Sequence, residues 1–215
     1  MEIGSPVAPH QERRSTDYAV QAALAAAGYP RSDRYHLRDM RHELRHLLWH
    51  IIAEYDVVLI IGGTAKRRFN YLPRVLDELG VKKQVQIGSE RQEQLFWFGL
   101  SQRNTPVFAL PGDPISCYVQ LHRQVIPALT KMDGVCQESR QFAVIKRQLK
   151  KPVSWPEGFM LVKVEQGPSG EILAEPSPVQ TPHDFWGIVG TDGFVEVSSA
   201  KTIPEGKAMR FWSWV

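Results

Sequence analysis

The feature that most constrains the fold is an apolar run that ends in a pair of glycines. The segment VVLII, residues 57–61, is followed directly by Gly62 and Gly63, and a helical pattern begins near residue 70. Five apolar residues in a row are too few for a helix and are typical of a buried strand in a parallel sheet. A strand, a glycine turn and a helix in this order present backbone N–H groups to an anion. The pattern therefore predicts an α/β domain with a candidate anion site.

A second turn of the same kind follows later in the chain. The apolar strand candidate at 106–110 is followed by the sequence PGDPIS and then by a helical pattern. If both strands run parallel, their carboxyl ends lie at one edge of the sheet, which is where open α/β sheets bind ligands. We therefore expect Gly62 and Gly112 to lie close together.

The rest of the chain divides into two kinds of pattern. Up to about residue 137, helical periodicity alternates with short strands. Helices are expected at 17–27, capped by Ser15 or Thr16, after Asp39, at about 70–79 and over 115–129, and further strands at 83–88 and 95–98. From residue 141 onward, short segments alternate with period two between Gly and Pro turns, as in an antiparallel barrel or sandwich. The fold class is therefore α/β, with a three-layer αβα domain at 1–137 followed by a small antiparallel β-barrel domain at 138–215.

Composition limits the function classes without selecting one. Of the 215 residues, 43% are hydrophobic and 23% charged, a globular balance, and the formal net charge of +3 fits an anionic small molecule without favouring nucleic acid. The two cysteines, Cys117 and Cys136, lack the spacing of a disulfide scaffold or a cysteine-rich metal site. No run approaches the roughly 20 apolar residues of a membrane span. We expect a cytoplasmic protein with neither a nucleic-acid nor a membrane partner.

The segment HELRH, residues 42–46, matches the zinc-protease helix signature H-E-x-x-H. The apolar stripe of this helix centres on Leu44 and Leu48, so His42 and His46 are expected on the outward face, in line with His50. No third ligand is evident downstream. We therefore predict solvated histidines here and no metal site.

The two glycine turns and the segment between them resemble a known family. The chain has IIGGTAKRRFN, ERQEQLFWFG and VFALPGDPIS where the molybdopterin molybdenumtransferases have GGxSxGxxD, KPGKP and PGNPxS. This family, also called MoeA, is related to the C-terminal region of gephyrin. The resemblance is to the C-terminal half of these proteins, including their final β domain, and covers nearly all of the chain.

The resemblance implies a set of site residues. Its pterin-binding positions correspond to Gly62, Gly63, Thr64, Pro111, Gly112, Asp113, Pro114 and Ser116. Its catalytic positions correspond to Asp39, Asn70 and Arg91. It also implies molybdopterin, free or adenylylated, as the substrate, with magnesium and molybdate as further ligands, and a homodimer. The asparagine at 70 argues against the magnesium and molybdate, because the family has a carboxylate there.

Several motif positions are substituted. Ala65, Arg67 and Asn70 replace the serine, third glycine and aspartate of the first motif, and Gln94 replaces a lysine of the second. Asp113 replaces an asparagine and brings a negative charge to the place where a phosphate would rest. The basic residues 66–68 either form a solvated loop or replace the lost hydrogen bonds by charge.

Three functional hypotheses remain open at this point. The chain is an enzyme that inserts molybdate into molybdopterin, or a catalytically degenerate, non-enzymatic paralogue that acts as a binding or assembly subunit. The third is a nucleotide-binding α/β domain unrelated to molybdenum, against which the β domain argues. Since the T-G-D-E-L strand that opens the family's domain is not found upstream, we also expect either a truncated chain or a shortened paralogue whose sheet lacks its first strand.

Overall fold

A computed structural model describes residues 15–37, 40–63, 71–87, 96–135, 141–150, 158–178, 185–197 and 202–214. The chain divides into two compact units, Met1–Leu121 and His122–Val215. This division falls inside a long helical stretch, whereas the sequence pattern changes where the short strands begin. The domain boundary at 137/138 stays a prediction.

The first unit contains four helices and four strands in its described residues. The helices are α1 (Thr16–Ala26), α2 (Arg41–Glu54), α3 (Leu72–Glu78) and α4 (Pro114–Gln120). The strands are β1 (Val58–Ile61), β2 (Lys82–Ile87), β3 (Phe96–Leu100) and β4 (Pro106–Leu110). They form one sheet in the order β1-β4-β3-β2, in which β1 and β4 are parallel and the other two pairings are antiparallel.

The sheet is the middle one of three layers. On one face, apolar residues of α2 and α3 form a continuous core with Val58 of β1 and Val107 of β4. Phe108 and Leu110 alternate with Val107 and so point to the opposite face, where α4 contacts both β4 and α1. Because helices cover both faces of β4, all five of its residues are buried. The predicted three-layer αβα architecture is confirmed.

The helices of the first unit begin and end close to their predicted positions, with one error of detail. Ser15 occupies the N-cap position of α1, but its side chain makes no capping hydrogen bond. Its backbone angles, φ −132° and ψ −29°, lie outside the extended region that a capping residue normally adopts. None of the helices in the described part of the chain has the length and apolar content needed to cross a membrane.

One long helix was expected from residue 114 onward, and the structure interrupts it. After α4 come a π-helical segment, Leu121–Val125, and a further helix, α5 (Ile126–Met132). Pro127 in the first turn of α5 has no N–H and cannot complete the regular α-helical bonding to the turn before it. Helical periodicity does not report this change, because the apolar residues keep nearly the same spacing.

The second unit contains a closed barrel. Its strands are β5 (Gln141–Ile145), β6 (Leu149–Lys150), β7 (Gly158–Gln166), β8 (Ile172–Pro176), β9 (Gly193–Val197), β10 (Thr202–Ile203) and β11 (Ala208–Ser213). The barrel order is β11-β5-β8-β7-β9, while β6 and β10 form a separate two-stranded ribbon. Fully buried side chains such as Met160, Val162 and Val195 fill its core.

The predicted small β-barrel is confirmed, with one exception to its antiparallel character. The pairing of β5 with β8 is parallel, whereas the other pairings around the barrel are antiparallel. Period-two alternation tells which face of a strand a residue occupies. It carries no information on the direction of the neighbouring strand, so the sequence could not show this pair.

Candidate functional site

The first glycine turn depends on backbone geometry that glycine adopts readily. Strand β1 ends at Ile61, and Gly62 and Gly63 follow with φ of +85° and +70°. Both values lie in the left-handed region, which residues with a Cβ atom rarely occupy. The Gly62 N–H donates to the Leu110 carbonyl at 3.0 Å, so the parallel ladder with β4 extends one residue past β1.

The second glycine turn lies against the first. The register pairs Ile61 with Leu110, so the two strands end side by side. A Cβ atom placed on Gly112 would lie 3.4 Å from the Cα of Gly62. The predicted proximity of the two turns at one edge of the sheet is therefore confirmed. Gly62, Gly63 and Gly112 are called the glycine rim below.

Asp113 has a structural role at this rim. It is the N-cap of α4: its Oδ2 accepts a hydrogen bond from the Ser116 N–H at 2.9 Å, and its carbonyl accepts one from the Cys117 N–H at 2.9 Å. Pro114 follows at the first helical position, where a missing N–H costs nothing. The carboxylate therefore starts the helix and also places a negative charge beside the rim.

Ser116, assigned to phosphate contact by the resemblance, is enclosed. Its residue exposure is 1%, and its Oγ has no hydrogen-bond partner among the described residues. The same holds for Oε1 of Gln120 one turn later. An unsatisfied buried hydroxyl costs about 1–3 kcal/mol. A hydrogen bond from the Ser116 hydroxyl to a ligand at the rim would remove this cost.

Cys117, next to Ser116, is fully buried and not disulfide-bonded. Burial, followed by the charge of Asp113, raises the pKa of its thiol far above the usual value. A thiol of this kind stays protonated and packs as a small apolar group. It has no part in the chemistry of the site.

An open cavity of about 1010 Å³ lies along the first turns of α2. Its lining residues are Met40, Arg41, His42, Arg45, Tyr71 and Glu78, and it is called the arginine cavity below. Arg41 donates to Oε1 of Glu78, and Arg45 Nε lies 3.8 Å from Oε2 of the same carboxylate. The sequence signal for this site is the spacing of Arg41 and Arg45, which lie four residues apart on the outward face of α2.

Four of the predicted site residues, Asp39, Thr64, Asn70 and Arg91, lie outside the described residues. Met40 follows Asp39 and Tyr71 follows Asn70 in the sequence, and both of these described residues line the arginine cavity. Leu72, the next residue, reaches the glycine rim, because a Cβ atom on Gly63 would lie 2.9 Å from its Cδ2. The start of α3 thus adjoins both sites.

The HELRH segment lies on α2 as expected. His42, His46 and His50 are exposed, while Leu44 and Leu48 are buried. The rings of His46 and His50 lie 4.8 Å apart in an edge-to-face arrangement. In the part of the chain that the structure describes, no group of three or more His, Cys, Asp or Glu side chains is placed to hold a metal ion.

Comparison with known proteins agrees with this geometry. Residues 1–131 match the family model described as "Probable molybdopterin binding domain". The chain belongs to this family. The match includes both turns of the glycine rim, which the sequence motifs had assigned to the same family.

Individual relatives extend the match to the whole chain. A molybdopterin molybdenumtransferase from Synechocystis is 31% identical over 216 residues, an alignment that covers 100% of this chain and 53% of the relative. The chain thus spans about half the length of this relative. It is a homologue of the MoeA proteins of molybdenum cofactor biosynthesis, as its motifs predicted.

Solved structures of MoeA proteins share the fold. A molybdopterin biosynthesis MoeA protein of Pyrococcus horikoshii superposes with a TM-score of 0.73 at 22% identity, over 100% of this chain and 51% of that one. A molybdenum cofactor biosynthesis protein of Pyrococcus furiosus gives a TM-score of 0.60 at 18% identity, over 92% and 64% of the two chains.

We predict that Gly63→Ala destabilises the first unit more than Gly28→Ala. Both glycines have positive φ, +70° and +97°, but only a Cβ atom at position 63 would meet a neighbour, the buried Leu72. The difference in unfolding free energy, measured by urea denaturation, should be about 1–3 kcal/mol, the usual cost of an overpacked site. Equal losses in the two variants would show that the rim and α3 are not packed as described.

Proposed function

We propose that the chain binds molybdopterin, free or adenylylated, at the glycine rim and acts in molybdenum cofactor biosynthesis. The observation that carries this proposal is the contact between Gly62 and Gly112 at the carboxyl edge of β1 and β4. Two turns without side chains allow a phosphate group to approach the backbone closely. The family model and the transferase relative support the choice of ligand.

The two turns contribute differently to such a site. The N–H of Gly62 already donates to Leu110, so Gly62 supplies space. Gly112 is exposed, and its N–H makes no hydrogen bond to a described residue. Its backbone is the donor that a phosphate oxygen would use. Ser116 would supply a second donor if its enclosed hydroxyl turned toward the ligand.

The proposal is tested by retention of the pterin. Purified protein is incubated with molybdopterin, passed through a desalting column, and the bound pterin is oxidised and measured by fluorescence. We expect the wild type to retain the pterin, Gly112→Ala to retain less, and Gly112→Val to lose at least about 10-fold in affinity, because a side chain there excludes the phosphate.

Unchanged melting temperatures would show that both Gly112 variants fold. The glycine turn is not a binding site if Gly112→Val folds and retains pterin as the wild type does. A wild-type protein that retains no pterin at all would contradict the proposed function itself.

Asp113 gives a second test, in which charge and capping are separated. Asp113→Asn keeps an oxygen that can cap α4 but removes the negative charge. We expect the affinity for molybdopterin to rise about 5-fold. This factor corresponds to the repulsion between two like charges about 4 Å apart in water, about 1 kcal/mol. Asp113→Ala removes the cap as well and should lower the stability of the unit by about 1 kcal/mol.

The measurements for the Asp113 variants are pterin retention and urea denaturation on the same preparations. If Asp113→Asn binds the pterin more weakly than the wild type, the ligand phosphate does not rest beside this carboxylate. The placement of the ligand at the second glycine turn would then be wrong.

Two candidate functions differ in whether the chain also inserts molybdate into molybdopterin. The first is the activity of its transferase relative. The second is a non-enzymatic binding or assembly role, which the replacement of a motif carboxylate by Asn70 and of a motif lysine by Gln94 favours. Loss of one preorganised electrostatic group commonly lowers a rate by about 10²- to 10³-fold. Magnesium is part of the first candidate alone.

The two candidates are distinguished by a molybdate-dependent cofactor maturation assay. The binding role predicts no maturation by the wild-type chain and some recovery in the double variant Asn70→Asp, Gln94→Lys. Robust maturation by the wild type would establish the transferase role and reject the non-enzymatic one. A homodimer, implied by the resemblance, and a cytoplasmic location, expected from the composition, are further proposals, and sedimentation analysis tests the dimer.

A further inference from the structure

The arginine cavity has a positive character among its described lining residues. Arg41 and Arg45 lie one turn apart on the same face of α2 and both reach the carboxylate of Glu78 on α3. His42 lies beside them in the lining. Among the described lining residues, two guanidinium groups face one carboxylate, which leaves an excess of positive charge.

Backbone donors reinforce this charge. The first backbone bond of α2 runs from the Leu44 N–H to the Met40 carbonyl, so the N–H groups of residues 41–43 have no acceptor within the helix. Met40 stands at the N-cap position, and its side chain makes no capping hydrogen bond. Glu43 in the first turn offsets part of the helix dipole but does not line the cavity. The end of a helix of 14 residues therefore opens toward the cavity without a side-chain cap.

The contact with Glu78 is one that an incoming anion can displace. The side chains of Arg41 and Arg45 are 60% and 62% exposed, and that of Glu78 is 31% exposed. Exposed ion pairs of this kind add little to stability, because water screens the two charges. A ligand with several oxygens can accept from both guanidinium groups at once, and such charge-assisted bonds are stronger than neutral ones.

We propose that the arginine cavity binds a tetrahedral oxyanion or the phosphate group of a larger ligand. Arg41, Arg45 and the first N–H groups of α2 hold the anion, and Glu78 is the internal anion that it replaces. None of the described residues that line this cavity belongs to the glycine rim. Anion binding here goes beyond pterin binding and stands or falls independently of it.

A neighbouring cavity offers space to the remainder of a phosphate ester, a part that a free oxyanion lacks, so the two kinds of ligand are expected to bind differently. It measures about 330 Å³ and shares His42 and Arg45 with the arginine cavity, and Trp49, which is 58% exposed, lines its wall. An aromatic ring that carries the phosphate could stack there on the indole. A free oxyanion would make no use of this second cavity.

Calorimetric titration at fixed ionic strength tests the proposal, with tungstate and inorganic phosphate as probes. We expect the double variant Arg41→Gln, Arg45→Gln to bind at least about 10-fold more weakly, since both charge-assisted contacts to the anion are lost. Glu78→Gln should bind about 3-fold more tightly, because the competing carboxylate is gone. Arg74→Gln, an exposed arginine of α3 outside the lining, is the matched control and should bind as the wild type does.

Loss of structure would weaken anion binding in both the arginine variant and the glutamate variant. Weaker binding in the first and tighter binding in the second are therefore not explained by misfolding. The proposal is overturned if the wild type binds neither probe at about 10 mM, tenfold above a millimolar dissociation constant, or if Glu78→Gln binds no more tightly. It is also overturned if the double arginine variant binds as the wild type does.

A second pair of ligands identifies the source of the anion. If phenyl phosphate binds more tightly than inorganic phosphate, and Trp49→Ala removes this difference, the site takes a phosphate ester with an aromatic ring. Equal affinities assign it to a free oxyanion. Because no variant in this experiment alters the glycine rim, a failure here leaves the retention assay for molybdopterin unaffected.

Discussion

The parallel pairing of β1 with β4 is the constraint on which the rest of the first unit depends. Two strands that run in the same direction and end together bring their following turns to one edge of the sheet. The bond from Gly62 to Leu110 extends this pairing into the turn itself. Both faces of β4 are buried, so a slip of one residue would bring the larger Phe108 in place of Val107 into the core formed with α2 and α3. The burial that fixes the register of β4 thus also fixes the distance between Gly62 and Gly112.

Helix capping and anion binding compete at the second turn. Asp113 satisfies the Ser116 N–H and stabilises the start of α4. The same carboxylate takes one of the donors that a phosphate would otherwise use and repels it by charge. The arginine cavity shows the reverse arrangement, an uncapped helix start with two cations. If both proposals hold, the unit binds anions at two places by different means, with backbone groups at the glycine rim and with guanidinium groups at α2.

The parts of the structure that follow from local pattern could be predicted from the sequence. The apolar run of β1, the Gly-Gly turn and the outward position of His42 and His46 on α2 follow from periodicity and backbone sterics. Features set by the packing of distant segments could not be predicted. The parallel contact of β5 with β8 and the meeting of Arg41 with Glu78 depend on which elements become neighbours, and single-sequence periodicity does not contain that information. The substituted motif residues showed where the chain departs from its family, but Asp113 needed the structure to reveal its capping bond.

The account of ligand binding rests on the backbone of three glycines, which can be observed individually. With only 16 glycines in the chain, selective ¹⁵N-glycine labelling gives an NMR spectrum in which each amide can be followed during titration with molybdopterin. We expect the signals of Gly62, Gly63 and Gly112 to shift together with one dissociation constant, while those of Gly28 and Gly206, which have open surroundings, stay in place. Saturable binding that leaves the three rim signals unmoved would contradict the account.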